Sequence, residues 1–243
     1  IPADFSRKIE RFKKKQRRRG FLTPEEIFLL AAVVWPDARM KAAVCLGAFG
    51  GLRRGEIRAL RWKDLSWETG YIQIRQNFTD DYDDQGEPIF KEPKAGSSGK
   101  VPALIFPEVQ RALKAVWDET PHRKPDDLIL TNTWETRRRN AATPGGRLPM
   151  AESTIKREFP RMLEAIGISL PEQKERNLVF HGLRHSYASL MSSLLPGNLT
   201  RALTRHQSQS MLENYEHVLE NSVLEGVKAV NLALEKYRVK RIQ

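Results

Sequence analysis

Three side chains that can carry positive charge stand together near the end of this 243-residue sequence. The stretch HGLRHSYASL, residues 181–190, places His181, Arg184 and His185 at the head of an otherwise apolar predicted helix. Like charges three and four residues apart repel each other on a helix surface. An anion bound among them would make this arrangement favourable, and His181 and Arg184 are spaced to face a single phosphate.

A second cationic segment, GGLRRGEIRALRW, suits the same kind of chemistry. Gly50 and Gly51 are expected to end one helix, which places Arg53 at the start of the next. The exposed N–H groups and the dipole at a helix start favour an anion, and Arg53 would strengthen its binding. Glu56, one turn later, could orient the guanidinium. An Arg–Glu pair at this spacing is more often a surface salt bridge, so this segment alone is weak evidence.

A candidate nucleophile follows in TRHQSQSMLENYEHV, where Tyr215 comes nine residues after His206. A lone tyrosine in an amphipathic helix usually belongs to a core or an interface. The chain offers many cations, however, and its one convincing nucleophile is a tyrosine. The sequence contains no Walker-type phosphate loop and no paired-carboxylate metal site. Its acidic stretch DDYDD is predicted to be an exposed loop rather than a magnesium site.

The order of these motifs resembles the catalytic domain of the tyrosine recombinases, the phage-integrase family. The motifs are the arginine of GLRRGEI, then HGLRH, then a histidine followed nine residues later by a tyrosine. The resemblance covers roughly residues 21–220 and includes a hairpin lysine. It implies an enzyme that cleaves and rejoins DNA at specific sites. In that family a tyrosine hydroxyl cuts the strand, forms a 3′-phosphotyrosine and frees a 5′-hydroxyl.

The resemblance assigns roles to the cations. A phosphodiester gains negative charge on its non-bridging oxygens in the transition state, and Arg53 and Arg184 would bind these oxygens with bidentate forks. His206 would donate a further hydrogen bond to the same phosphate. Glu56 and His185 are expected to support this set, and for His185 a buried, hydrogen-bonded structural role is favoured over a catalytic one.

The tyrosine has to lose a proton and the leaving oxygen has to gain one. A phenol with a pKa near 10 is only about 0.1 per cent ionised at pH 7, so the guanidiniums would help Tyr215 to ionise and His181 would act as its general base. In the family a hairpin lysine protonates the 5′-oxygen. In KEPKAGSSGKVP, Lys94 fits that role best, with Lys91 and Lys100 as close competitors. This chemistry requires no metal or nucleotide, so no cofactor is expected.

The sequence departs from the family pattern at two places. Family members often have Leu-Gly before the late histidine, whereas this chain has Thr204 and Arg205, and the extra charge is expected to contact DNA or to weaken the helix turn slightly. The N-terminal helical domain usual in the family is not expected within residues 1–20, where residues 7–19 hold nine basic side chains and one acid. These residues predict a solvated, partly disordered arm that binds DNA. Its DNA-binding residues are expected to include Arg17, Arg18 and Arg19.

The composition agrees with a nucleic-acid partner. The 41 Lys and Arg against 30 Asp and Glu give a formal charge of +11, which indicates nucleic acid or an anionic surface as partner, with a merely basic soluble protein as the plain alternative. The resemblance implies that this partner is double-stranded DNA. The single Cys45 excludes an internal disulfide and a cysteine-based metal cluster. No signal peptide is expected from these residues, although a start at Ile1 rather than Met is compatible with an excised fragment. No apolar run approaches the roughly 20 residues that span a bilayer. A cytoplasmic, bacterial or phage-encoded protein is therefore expected.

The predicted fold class is α+β, mainly α-helical, with a small three-stranded antiparallel sheet. Thr23, Pro24 and Glu26 predict the start of a first helix. YIQIRQ alternates as a strand does, residues 77–88 are expected to form a loop, and PIFKEPK and KVPALI complete the sheet. Further helices are predicted at 40–51, 53–62, 107–119, 153–167 (kinked or broken at Pro160), at the HGLRH segment, and at 198–206, 210–219 and 225–238.

Three parts are expected along the chain: a basic arm at 1–20, a catalytic domain at 21–221 and a helical tail at 222–243. The tail carries an apolar stripe at helical spacing that must be buried. The stripe packs either on its own domain or, as the resemblance favours, on a neighbouring protomer of a homotetramer on DNA, with the free protein monomeric. Its members are Val223, Val227, Val230, Leu234 and Tyr237.

Two other functions remain open from the sequence. A type IB topoisomerase resembles this family in the design of its active site, but generally uses a lysine where His181 lies. A DNA-binding protein with an inactive site is disfavoured, because every catalytic residue type is present in order.

Overall fold

The computed structural model describes residues 20–93, 99–132, 146–205 and 216–238 of the chain. Within these ranges the chain has the mainly helical α+β fold that the sequence predicts. Its helices are α1 Pro24–Ala32, α2 Ala38–Gly50, α3 Arg54–Ala59, α4 Pro107–Glu119, α5 Glu152–Ala165, α6 Leu170–Glu175, α7 Gly182–Leu194, α8 Gly197–Thr204 and α9 Glu216–Ala233. Its strands are β1 Leu65–Ser66, β2 Tyr71–Ile74, β3 Asn77–Tyr82, β4 Pro88–Lys91 and β5 Gly99–Val101.

Helix α2 forms the centre of the core. It packs against α1, α3, α4 and α7, and nearly all of its side chains are buried because ARMKAAVCLGAFG is made mostly of small and apolar residues. Gly47 allows α7 to approach closely, since a Cβ atom there would lie 3.1 Å from Leu183 Cδ1. Cys45 is only 1% exposed in this helix, and burial raises the pKa of its thiol to about 12.

The capping box predicted for α1 is confirmed. The Thr23 hydroxyl accepts a hydrogen bond from the Glu26 amide at 3.3 Å, and Glu26 Oε2 accepts one from the Thr23 amide at 2.8 Å. Arg176, just after α6, binds both carboxylate oxygens of Glu26 at 2.7 Å. The start of α1 is thereby tied to α6, a helix that the sequence pattern did not predict.

The small sheet is present, but its members differ from the prediction. Strand β2 pairs with β1 and β5 in a three-stranded antiparallel sheet, whereas β4 pairs with β3 in a separate two-stranded ribbon. The loop predicted at 77–88 is therefore wrong over its first half, which forms β3. Phe78 is 1% exposed there, and its ring packs against Phe90 on the facing strand with centroids 5.5 Å apart. Such cross-strand aromatic pairs stabilise a strand in spite of acidic neighbours.

An ion pair between a buried arginine and a partly exposed aspartate joins this ribbon to α3. Arg58 is fully buried, and its two terminal nitrogens donate to the two carboxylate oxygens of Asp80 at 2.6 Å each. Its Nε donates to the Met150 carbonyl at 2.6 Å. Asp80 has a left-handed backbone (φ 61°), at the register shift between Phe78 and Tyr82. The acidic stretch at 80–84 is thus anchored at its first residue rather than being entirely an exposed loop.

Two helix boundaries also differ from the predictions. Helix α5 runs from Glu152 to Ala165 with Pro160 inside it, so it is not broken at the proline. Residues 210–215 of one predicted helix lie outside the described ranges. From Glu216 onwards its remainder and the helix predicted at 225–238 form one helix, α9, followed by a short 3-10 turn at Glu235–Tyr237. None of the helices in the described ranges is both long and apolar enough to cross a membrane.

The apolar stripe of the tail is buried against its own chain. Tyr237 stacks on Phe28 of α1, with ring centroids 6.4 Å apart and planes 13° apart. Arg238 Nε donates to Glu108 of α4 at 3.0 Å. In the single chain the stripe thus packs on its own domain, and the expectation that it reaches a neighbouring protomer on DNA stays a prediction. The other stripe residues are at most 7% exposed in the core: Val223, Val227, Val230 and Leu234.

Candidate active site

The turn between α2 and α3 presents the first predicted arginine. Gly51 ends α2 in the left-handed conformation (φ 61°), and Arg53 is the N-cap residue of α3. Glu56 accepts two hydrogen bonds from it: the Arg53 amide donates to Oε2 at 2.8 Å and Nη1 donates to Oε1 at 2.9 Å. The predicted orienting role of Glu56 thus has a geometric basis, and the Arg53 side chain remains 29% exposed.

The second predicted arginine lies deeper. Arg184, in the first turn of α7, is 5% exposed. Its Nη1 donates to the Gly51 carbonyl and its Nη2 donates to the Thr204 carbonyl. A single guanidinium therefore connects the α2–α3 turn, α7 and the end of α8, three segments that are far apart in the sequence.

Arg205 completes the cluster from α8. It ends that helix in a left-handed conformation (φ 53°), and the residue is 7% exposed. Its Nη2 donates to Glu56 Oε2 at 2.7 Å. The predicted positions 53, 56, 184 and 205 are thus brought together, with Glu56 placed between two of the arginines.

The charges in this cluster act on one another. Burial, and then the charges of Arg205 and Arg53, lower the pKa of Arg184 to about 10. Burial raises the pKa of Glu56, but the charge of Arg205 and the hydrogen bonds from Arg53 and Arg205 outweigh this effect and hold that pKa below its usual value. Three guanidiniums against one carboxylate leave an excess of positive charge in a largely dry environment, where an anion is strongly attracted.

The two histidines of HGLRH lie at the start of α7, the helix that also carries Arg184. His181 is the N-cap residue of α7, and both histidines are half-buried. Their rings meet edge to face, with centroids 5.3 Å apart and planes 84° apart. His185 is therefore placed to fix the orientation of the His181 ring.

Sequence reasoning missed two residues that support the site. Ser186 Oγ accepts a hydrogen bond from the Leu22 amide at 2.8 Å and donates to the Gly182 carbonyl at 3.0 Å, which attaches the start of the domain to α7. Tyr187 is 1% exposed and its ring packs on Gly51. Burial raises the pKa of this tyrosine, which makes it a packing residue rather than a nucleophile. The sequence signal for such a contact was the glycine pair at 50–51, because glycine is used where a neighbour approaches closely or where φ is positive.

Several predicted residues lie outside the described ranges: Lys94, His206, Tyr215, Arg17, Arg18 and Arg19. Of the two competing hairpin lysines, Lys91 ends β4 and binds Asp81 Oδ2 at 2.5 Å. Lys100 lies on β5, paired in register with Gln73. Within the described residues, no group of three or more His, Cys, Asp or Glu side chains is arranged to hold a metal ion.

Replacing Gly51 with alanine is expected to destabilise the site and the fold together. A Cβ atom there would lie 2.3 Å from Tyr187 Cδ1, and the φ of 61° strains any side chain. Backbone strain and overpacking together should lower the free energy of unfolding by about 2–5 kcal/mol, as measured by urea denaturation. Gly167→Ala is the matched control, because φ is 91° there but no atom lies within 4 Å of the new Cβ. Equal losses in the two variants would contradict the predicted clash.

A mainly helical domain with a small antiparallel sheet is the fold of tyrosine recombinase catalytic domains. The model of the phage integrase family matches residues 20–222, so the chain belongs to this family.

Individual relatives agree with the family assignment. Prophage integrase IntR of Escherichia coli (strain K12) is 29% identical over 82 residues, which cover 34% of this chain and 18% of that protein. Tyrosine recombinase XerA of Pyrococcus furiosus is 23% identical over 218 residues, covering 87% of this chain and 62% of that protein. The chain therefore spans less than two thirds of the length of these relatives.

Solved structures share the fold. The Tn1549 transposon integrase in complex with circular intermediate DNA aligns with a TM-score of 0.60 at 18% identity, covering 84% of this chain and 64% of that one. A crystal structure of XerA recombinase aligns with a TM-score of 0.54 at 18% identity, covering 93% and 67% of the two chains.

Proposed function

We propose that this chain is the catalytic part of a site-specific DNA recombinase, which cleaves and rejoins DNA strands through a 3′-phosphotyrosine intermediate. The observation that carries the proposal is the cluster of Arg53, Glu56, Arg184 and Arg205, assembled from the α2–α3 turn, α7 and the end of α8. Its excess positive charge suits a phosphodiester that gains negative charge during the reaction.

The two predicted arginines differ in how they meet the phosphate. Arg53 is the more exposed one, and within the described residues Nη1 is its single guanidinium nitrogen with a hydrogen bond, so Nη2 and Nε can bind a non-bridging oxygen. Arg184 uses one N–H of each terminal nitrogen on a backbone carbonyl, and each of these nitrogens carries a second N–H. In this proposal the phosphate binds to the exposed side of Arg53, and the more deeply buried Arg184 contacts it from the protein interior.

The remaining steps are assigned to residues that flank this cluster. We assign Tyr215 as nucleophile, His181 as its general base, His206 as a further donor to the phosphate, and Lys94 as the acid that protonates the leaving 5′-oxygen. Packed elements bracket the segment that carries His206 and Tyr215, since Arg205 ends α8 one residue before His206 and α9 begins one residue after Tyr215.

The proposed partner is double-stranded DNA, with a homotetramer on DNA and a monomer when free. The solved Tn1549 transposon integrase is bound to circular intermediate DNA, which supports this partner for a chain of the same fold. Residues 1–20 are proposed as a DNA-binding arm, 21–221 as the catalytic domain and 222–243 as a tail. Since the substrate is DNA, the proposed place of action is the bacterial cytoplasm.

Covalent trapping tests the proposed function. The protein is incubated with a pool of nicked duplexes of randomised sequence, so that a cleaved strand loses its 5′-hydroxyl fragment and cannot be resealed. A protein–DNA adduct that survives denaturation and contains phosphotyrosine supports the proposal, and sequencing the trapped DNA gives the target site. Absence of an adduct from every duplex would refute it. Relaxation of supercoiled DNA without strand exchange would instead support a topoisomerase.

Deleting the arm at residues 7–19 should weaken binding to all DNA sequences alike. Each Lys or Arg that neutralises a phosphate releases counterions, so the slope of log Kd against log salt should become shallower by about 0.9 for every phosphate that the shortened protein no longer neutralises. Gel shifts at a series of salt concentrations measure this slope. Loss of preference for one sequence, at an unchanged salt slope, would contradict a phosphate-tracking arm.

A further inference from the structure

Arg205 does not have the position expected of a DNA-contacting arginine. Its side chain is 5% exposed and points into the cluster, where Nη2 donates to Glu56 Oε2 at 2.7 Å. The Glu56 side chain is 2% exposed, so both partners of this ion pair are buried. Breaking a buried ion pair leaves an uncompensated charge in the interior, which is strongly unfavourable.

The backbone of Arg205 is under strain as well. Its φ of 53° lies in the left-handed region, which favours glycine over residues with a side chain. Strain of this kind persists where surrounding contacts determine the conformation, and such residues cluster at functional sites. The ion pair with Glu56 contributes to holding this conformation, together with the hydrogen bonds from the Arg205 amide to the carbonyls of Ala202 and Arg201.

Glu56 divides its carboxylate between two arginines. Oε1 accepts from Arg53 Nη1, whereas Oε2 accepts from the Arg53 amide and from Arg205 Nη2. Arg205 and the Arg53 amide therefore hold the carboxylate together. The rotation of the carboxylate sets which edge of the Arg53 guanidinium is occupied.

We propose that Arg205 is a positioning residue, which acts through Glu56 to orient Arg53 and to fix the end of α8 against α3. This inference rests on the proposed recombinase function. The ion pair between Arg205 and Glu56, called the strap below, spans 149 positions of sequence and connects the α2–α3 turn to the residue directly before His206. The strap thereby fixes the orientation of Arg53, which binds the phosphate. It also fixes the position of Arg205, from which the chain continues towards Tyr215.

A double-mutant cycle between Glu56 and Arg205 tests the inference. The variants are Arg205→Gly, which removes the side chain and relieves the backbone strain, Glu56→Gln, and the two together. At saturating DNA, Arg205→Gly should slow single-turnover adduct formation by about tenfold or more, because misplaced catalytic groups cost that much or more. Its DNA affinity should stay within about twofold, and its salt slope should not change. In the Glu56→Gln background the same substitution should have a much smaller effect, since interacting residues are not additive.

Control variants separate this role from others. Arg201→Ala changes an exposed arginine one turn earlier on α8 and should leave cleavage and binding unchanged. Arg205→Lys keeps the charge and loses the fork, so it should also slow cleavage at unchanged affinity. An unchanged cleavage rate in Arg205→Lys would overturn the inference even if Arg205→Gly did not fold. Weaker binding with a salt slope lower by about one, equal in both backgrounds, would show that Arg205 contacts DNA instead.

The same cycle measured by urea unfolding, without DNA, keeps the inference testable apart from catalysis. If Glu56 and Arg205 form the strap, the double variant should lose less stability than the sum of the two single variants. Additive losses would overturn the inference. Coupled losses in a protein that forms no adduct would refute the proposed recombinase function and leave the strap as a structural contact.

Discussion

Tyr215→Phe should abolish the covalent protein–DNA adduct while leaving the fold and the DNA affinity unchanged. The substitution removes the hydroxyl and keeps the ring, so a structural contribution of the ring is retained. No other hydroxyl of the proposed site is assigned to attack the phosphate, and the loss should therefore be complete within detection. Denaturing gels of trapped complexes and gel shifts of the same samples measure the two properties side by side.

Tyr82→Phe provides the matched control for this experiment. Tyr82 is 46% exposed on β3 and packs its ring edge-on against Phe78, which the phenylalanine variant can also do. Its adduct yield should equal that of the unaltered protein. An adduct formed by Tyr215→Phe at the original rate would show that another residue is the nucleophile.

Arg53→Lys should slow cleavage by about two orders of magnitude or more, the typical loss when one donor to a developing charge is removed. Lysine keeps the charge but not the planar fork, so it cannot bind Glu56 and a phosphate oxygen at fixed angles together. DNA binding at low salt should change far less, because many phosphate contacts share it. Single-turnover cleavage at saturating DNA, compared with affinity, measures the difference.

The neighbouring residue offers the control. Arg54 is 40% exposed and pairs with Glu152 at 2.5 Å, away from Glu56, so Arg54→Lys should leave cleavage within about twofold of the unaltered rate.

Arg184→Lys should also reduce cleavage by about two orders of magnitude or more. Arg184 also holds the Gly51 and Thr204 carbonyls in place, however, so its replacement disturbs the fold as well. Equal losses of binding and cleavage in Arg53→Lys would indicate a structural role for that residue.

Local patterns predicted the elements that position the site. The Thr23–Glu26 capping box, the helix that ends at Gly50 and Gly51, and the helix that begins at HGLRH all depend on residues close together in the sequence. Such signals act within one or two turns, and they are legible without knowledge of the rest of the chain.

The parts that the sequence did not predict depend on partners far along the chain. Strand β3 is acidic by composition, and its stability comes from the burial of Phe78 and from the ion pair between Arg58 and Asp80. The extra charge of Arg205 was expected to contact DNA or to weaken the helix turn slightly. Its partner Glu56 lies 149 positions earlier, and no local pattern reveals such a pairing.

The buried thiol of Cys45 gives this protein an internal reporter of unfolding. A thiolate is the reactive form of cysteine, and burial raises the pKa of the Cys45 thiol so far that it stays protonated at pH 7 in the folded protein. Because Cys45 is the only cysteine and lies in the central helix, alkylating reagents can reach it only when the core opens. The rate of its modification therefore follows the population of opened molecules. A second cysteine introduced at the surface would react alone in the folded protein, which allows a probe to be attached at one chosen place.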